Sequence, residues 1–152
     1  MKRLGSCQCG GVTYQINGEP IALGACFCTT CQKESGGIST YSMLVNKSNF
    51  ELLTGALDMW SSTERSGSVF INHFCNVCHC RVYATDPDSP EIVRVKAGTL
   101  EDAKELEPEV FIWLGSAPSW VSVPEGALAY ETQPSVEEIL KNIYERRAKR
   151  HS

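Results

Sequence analysis

The stretch Gly24-Ala25-Cys26-Phe27-Cys28-Thr29-Thr30-Cys31-Gln32-Lys33 decides how the rest of the chain is read, because it sets three thiols at C-x-C-x-x-C spacing. That spacing lets three sulfurs converge on one cation and brings no fourth ligand of its own. Zinc is closed by four protein ligands in structural sites, whereas catalytic sites keep one position open for water or substrate. The trio therefore reads as a working metal site, or as one closed by a thiol from elsewhere.

Outward from the trio, further thiols stand at Cys7, Cys9, Cys75, Cys78 and Cys80, making eight in all. An even count suits a disulfide framework in a secreted chain, but no apolar run follows the basic residues of Met1-Lys2-Arg3, so no signal peptide is expected. We expect a cytoplasmic protein. In that reducing compartment short-spaced thiols bind metal more readily than they pair, and a C-x-C pair is cramped for a local disulfide. Cys7 and Cys9 with the knuckle Cys75 and Cys78 make a four-sulfur set able to close a tetrahedral zinc and clip distant segments together. Spacing alone does not dictate which pair joins which. Cys80 is the disputed thiol: folded back to the trio it would close that site. His79 and His73 are rival ligands, although a lone histidine is more often a hydrogen-bonded structural residue.

A chain of 152 residues with 42% hydrophobic and 21% charged residues fits one folded domain. The formal charge of -4 and pI near 5.4 argue against a nucleic-acid partner, the only basic cluster being Arg146, Arg147, Lys149 and Arg150. No window has the length and apolarity of a bilayer span, so no membrane partner is expected. Residues 12–17 alternate as a half-buried strand before an Asn17-Gly18 turn. A brief helix is expected from Gln32 to Gly37, a strand over 38–45, and a meander of short strands over 50–53, 57–61 and 68–74 broken at Thr54-Gly55 and Ser66-Gly67. Strands over 81–84 and 92–97 flank the Asp86–Pro90 loop, and another is expected over 110–114. Ser135 and Glu138 form a capping box ahead of Val136, Leu140, Ile143 and Tyr144. These signals predict a mainly β domain over 1–133 with a helical tail over 134–152.

Three thiolates quench much of the charge on zinc, so activating water suits this site less than binding a fourth thiolate. A zinc deaminase needs a Glu two residues after its first ligand, and Cys26-Phe27-Cys28 has none. A thioredoxin-like use of Cys28 and Cys31 leaves Cys26 unexplained. Trp113, Ser116 and Trp120 are candidate pocket residues, to be weighed against ordinary packing. Lys33 is a candidate partner for a substrate carboxylate, to be weighed against an ordinary solvated lysine.

With these residues in view, the chain resembles the glutathione-dependent formaldehyde-activating enzymes and their centromere-protein-V-type relatives. The likeness runs through Gly5-Ser6-Cys7-Gln8-Cys9-Gly10, Cys26 to Cys31, Ser35-Gly36-Gly37 and Phe74 to Cys78. It continues through Ala97-Gly98-Thr99-Leu100, Ile112-Trp113-Leu114 and Ser119-Trp120. The resemblance implies a β-tent fold and two zinc ions, a structural one on Cys7, Cys9, Cys75 and Cys78 and a catalytic one on Cys26, Cys28 and Cys31. It also implies that glutathione adds to formaldehyde to give S-hydroxymethylglutathione, the reverse being a carbon-sulfur lyase reaction. Three positions depart from the pattern: His79 and Cys80 stand where relatives commonly have glycine and a small residue, and Phe111 where they often have histidine. The alternative class is a non-catalytic zinc scaffold or protein-interaction module with both zincs structural.

Overall fold

Alternation drives the sheets. Strand β2 (Thr13–Asn17) buries Tyr14 and Ile16 completely while its other residues stay partly or fully exposed, as a half-buried strand must. The computed structural model describes residues 1–150, so the last two residues of the expected 134–152 tail lie outside the described residues. The protein is mainly β. Its chain divides into two units, Met1–Ile21 with Ser42–Leu106, and Ala22–Tyr41 with the chain from Glu107 onward.

In the first unit, β1 (Lys2–Ser6), β2 and β5 (Phe50–Thr54) form an antiparallel sheet in the order β1-β2-β5. A second antiparallel run orders β4 (Thr40–Asn46), β9 (Ile92–Lys96), β8 (Arg81–Thr85), β7 (Val69–Cys75) and β6 (Leu57–Thr63). Its registers set Met43 opposite Val95 and Val45 opposite Val93, all buried. Aromatic rings link the two sheets: Tyr14 meets Phe50 at 5.4 Å, Phe50 meets Tyr83 at 4.8 Å, and Tyr83 stacks on His73 at 4.2 Å. Burial raises the Tyr14 pKa, and its hydroxyl is satisfied by Thr99 Oγ1 at 2.7 Å. Gly5 is required beside that ring, because a Cβ there would run into the Tyr14 side chain. The expected meander holds for β6 and β7, and the strands expected on either side of the Asp86–Pro90 loop pair as β8 and β9. It does not include β5, which pairs with β2; Gly55, at φ +99°, packs so closely on Gly11 and Val12 that only glycine fits.

In the second unit, β3 (Ala22–Cys26), β10 (Val110–Ile112) and β11 (Leu128–Ala129) pair in parallel, with Ile112 opposite Cys26. Helix α1 (Thr29–Ser35) ends at Gly36, in the left-handed conformation at φ +66° that suits a glycine C-cap. It starts earlier than the expected Gln32 because the Cys28 thiol, not a hydroxyl, serves as N-cap. Phe27 and Phe111 stack within a core that also holds Ala25, Leu114, Val121 and Val123. Helix α2 (Val136–Arg150) begins as its capping box predicts, Ser135 Oγ accepting from Glu138 N at 3.1 Å. It is fixed by fully buried Ile143 and by Arg147 paired with Glu109 at 2.7 Å, while Val136 and Tyr144 of the expected stripe are exposed.

Candidate functional site

Each unit gathers its own cysteines. In the first, the turn after β1 is closed by Cys7 N donating to Val12 O and Gly10 N donating to Cys7 O, both at 3.0 Å. The end of β7 closes likewise, with His79 N on Cys75 O at 2.9 Å and Cys75 N on Cys80 O at 3.0 Å. These two turns bring the sulfurs of Cys7, Cys9, Cys75 and Cys78 within 4.8 Å of one another. The Cys7 and Cys9 sulfurs are 3.5 Å apart and those of Cys9 and Cys75 3.8 Å. A tetrahedral zinc with bonds of about 2.3 Å sets its sulfurs about 3.8 Å apart. The donor set thus fits such an ion, and is too widely spaced for a disulfide of about 2.05 Å. Backbone N–H groups of Val12 and Val77 point at the Cys7 and Cys75 sulfurs at 3.2 and 3.4 Å, which helps to offset thiolate charge.

In the second unit, Cys26 ends β3, and Cys28 and Cys31 span the first turn of α1. Their three sulfurs lie within 4.8 Å of one another, and among the described residues no fourth cysteine, histidine or carboxylate joins the group. Cys28 Sγ accepts from Cys31 N at 3.3 Å. Hydrogen bonds from the Cys26 and Cys31 thiols hold the Cys28 thiol well below its ordinary pKa, and the same contacts push Cys26 and Cys31 up. Three sulfurs this close carry one thiolate readily and three only when a cation offsets the charge. Both groups can hold a metal ion.

The remaining candidates fall in different places. His73 is stacked on Tyr83 and bonded to Thr85 Oγ1 at 3.1 Å, and burial lowers its pKa. His79 lies exposed in the knuckle at φ +60°, a conformation glycine adopts without strain. Cys80 joins neither sulfur group: its Sγ sits 3.9 Å from Arg81 O, and burial raises its pKa against an N–H from Gln8. Lys33 is exposed on α1, and Trp120 is 72% exposed. Phe111, the departure from histidine, is core, stacked on Phe27.

Trp113 follows directly on Ile112, the neighbour of Cys26, and takes a left-handed φ of +59° where the sequence predicts continued strand. That conformation costs about 1–2 kcal/mol for a bulky residue. It is held by Trp113 N on Thr132 O at 3.3 Å and by the indole N–H on Gln133 Oε1 at 3.1 Å. Ser116 closes the short 3-10 turn that follows, its N–H bonded to Trp113 O at 3.0 Å. One residue escaped sequence reasoning: Gln32, whose amide donates to Phe27 O at 2.7 Å and Ser116 O at 2.9 Å. Its position directly after the last thiol of the trio was the available signal.

The fold and the two sulfur groups define a small, mainly β protein able to hold metal ions through cysteine. The chain belongs to the glutathione-dependent formaldehyde-activating enzyme family, whose model matches residues 2–116. It is similar to a Halomonas elongata protein provisionally named as a glutathione-dependent formaldehyde-activating enzyme, with 29% identity over 125 residues, 78% of this chain and 79% of that one. Its fold is similar to that in a crystal structure of a Rhodobacter sphaeroides protein, with a TM-score of 0.52 and 19% identity over 86% of this chain and 99% of that one. No helix among the described residues is long and apolar enough to cross a membrane.

Proposed function

We propose that the protein is a zinc-dependent carbon-sulfur lyase or synthase. It binds a thiol such as glutathione at the Cys26, Cys28 and Cys31 group and forms or breaks an S-hydroxymethyl adduct with an aldehyde such as formaldehyde. The observation that carries this reading is the unequal division of the thiols, four gathered in one unit and three in the other, in a chain of this family. Cys7, Cys9, Cys75 and Cys78 would hold a structural zinc, and the trio a second, catalytic one. Zinc at the trio supplies positive charge that favours the nucleophilic thiolate of an incoming thiol near neutral pH.

The chain's own residues account for the rest. Three cysteines, joined by no fourth ligand among the described residues, would leave room for one substrate sulfur. Phe27, between two of the thiols in sequence, is buried and stacked on Phe111, while Trp113 follows directly on Ile112, the neighbour of Cys26. The reaction balances without an oxidant: a sulfur-carbon bond forms, the carbonyl π pair becomes a hydroxyl, and the thiol proton ends on that oxygen. The reading takes small-molecule thiol and aldehyde as partners, the cytoplasm as location, and 1–133 as the zinc-binding domain with 134–152 as its tail.

The test is the exchange rate between free carbon-13 formaldehyde and its glutathione adduct, followed by NMR with and without the zinc-loaded protein. Acceleration that disappears in Cys28→Ala supports the proposal. No acceleration, with glutathione or with other small thiols, favours the scaffold with two structural zincs.

A further inference from the structure

Within α1, the Gln32 side chain bonds the backbone of two separate segments, at Phe27 and at Ser116. Its backbone N–H makes the ordinary helical bond to Cys28 O at 3.0 Å, which fixes the root of the side chain over the ligand-bearing turn. From there the single amide nitrogen spends both of its hydrogens on backbone carbonyls, Phe27 O at 2.7 Å and Ser116 O at 2.9 Å. Phe27 lies between two of the three thiols. Ser116 ends the turn that begins at the strained Trp113. The Phe27 N–H is itself donated to Ile112 O at 3.0 Å, so the ligand segment and the 112–116 segment are joined at two points.

We propose that Gln32 is a positioning residue, holding the 113–116 turn against the Cys26-Phe27-Cys28 segment and so setting how well the trio receives a substrate thiol. This rests on the functional reading above and deepens it. A primary amide is a neutral side chain whose one nitrogen carries two donors, and here both are used. Removing them leaves the Phe27 and Ser116 carbonyls without these bonds and frees the Trp113 turn to relax from its left-handed conformation. Gln32 touches no reacting atom in this account; it acts through the segments that it joins.

Two substitutions separate positioning from packing. Gln32→Glu keeps the shape, removes both donors and sets a carboxylate against two carbonyls. Gln32→Arg is larger but keeps a planar fork of donors. A filler role predicts that Glu is tolerated and Arg is not, whereas positioning predicts the reverse order.

Three readouts on the metal-loaded chain decide the matter: metal content, amide hydrogen exchange over residues 113–117, and titration of cobalt-substituted protein with glutathione, followed by absorbance. The expected result is full metal content in all variants. Exchange at 113–117 should be faster, and the apparent thiol dissociation constant about tenfold weaker, in Gln32→Glu. Both should return toward wild type in Gln32→Arg. Wild-type exchange and thiol affinity in Gln32→Glu would overturn the proposal while leaving the functional reading intact. A wild-type protein with no thiol response would contradict the functional reading, and with it the thiol part of this proposal. Exchange at 113–117 then decides whether Gln32 holds the turn: unchanged exchange in Gln32→Glu overturns that part too.

Discussion

The two sulfur groups are built from the same residue type by opposite constructions. The four-sulfur group joins two turns far apart in the first unit, Cys7 and Cys9 after β1 with Cys75 at the end of β7 and Cys78 beyond it, so an ion there would close a loop of the fold. The trio is local: all three sulfurs come from the six residues between the end of β3 and the first turn of α1, where hydrogen bonds hold the backbone without help. An ion held by ligands far apart in the chain would tie distant segments together, whereas one held by three local sulfurs would keep an open position.

The largest effect should separate the groups. Cys75→Ala is expected to abolish cooperative thermal unfolding, a loss beyond about 5 kcal/mol, because the structural ion proposed there would tie distant segments together. Cys28→Ala should keep the β-rich circular dichroism spectrum and one bound zinc while losing the second zinc and all acceleration of adduct exchange. Equal destabilisation by both would erase the distinction.

Next in size is Gly5→Ala. The new methyl group meets the buried Tyr14 ring, which is fixed by its hydroxyl bond to Thr99 and has nowhere to move. Overpacking of this kind should cost about 3 kcal/mol, seen as a lower melting temperature. It should speed chelator extraction of zinc from the neighbouring Cys7 group and leave extraction from the trio unchanged.

How much of this contrast was legible in the sequence depends on the range of the determining contact. Thiol spacing, the Ser135 capping box and the alternation in β2 are local signals, and each appears in the structure where it was expected. Helix α1 starts earlier than the sequence predicts because its N-cap is a cysteine thiol, which stands outside the residues that ordinarily cap helices. The parallel pairing of β10 with β3 joins Val110 to Gly24, far apart in the chain, and β10 and β11 are only three and two residues long, too short for any periodicity. The left-handed Trp113 could not be read at all, since bulky side chains carry no propensity for it. Its hold comes from Thr132 and Gln133. For Gln32 the one local signal is its place directly after Cys31: a polar residue on a short helix otherwise looks like surface until its two carbonyl partners are known.

Acid should act on the trio's unit through the pair of Glu109 and Arg147. Burial pushes the Glu109 pKa up, but the hydrogen bonds and charge of Arg147 outweigh it and hold the carboxyl below its ordinary 4.5. A carboxylate whose folded pKa is depressed contributes stability that is fully present above the unfolded value near 4.5 and is lost as pH falls through the folded value. Glu109→Gln is therefore expected to cost about 1 kcal/mol at pH 7, the pair being partly exposed, and nothing once the wild-type carboxyl is protonated. Melting temperatures of the two proteins between pH 3 and 7 should converge at the acid end; a constant gap would contradict the assignment.

The smallest effect sharpens the first group instead of breaking it. His79→Gly removes a side chain from a left-handed position in the knuckle and should stabilise by up to about 1 kcal/mol, with no change in zinc content. A fall in stability would mean that the imidazole holds the turn.

The central claim is that the two groups bind metal with different numbers of protein sulfurs. Cobalt-substituted protein, titrated with glutathione under anaerobic conditions and read in the thiolate charge-transfer region, tests it most directly. The account predicts two cobalt ions per chain and a saturable rise equivalent to one added thiolate, abolished in Cys28→Ala. A spectrum that already shows eight sulfur ligands and does not respond to glutathione would contradict it.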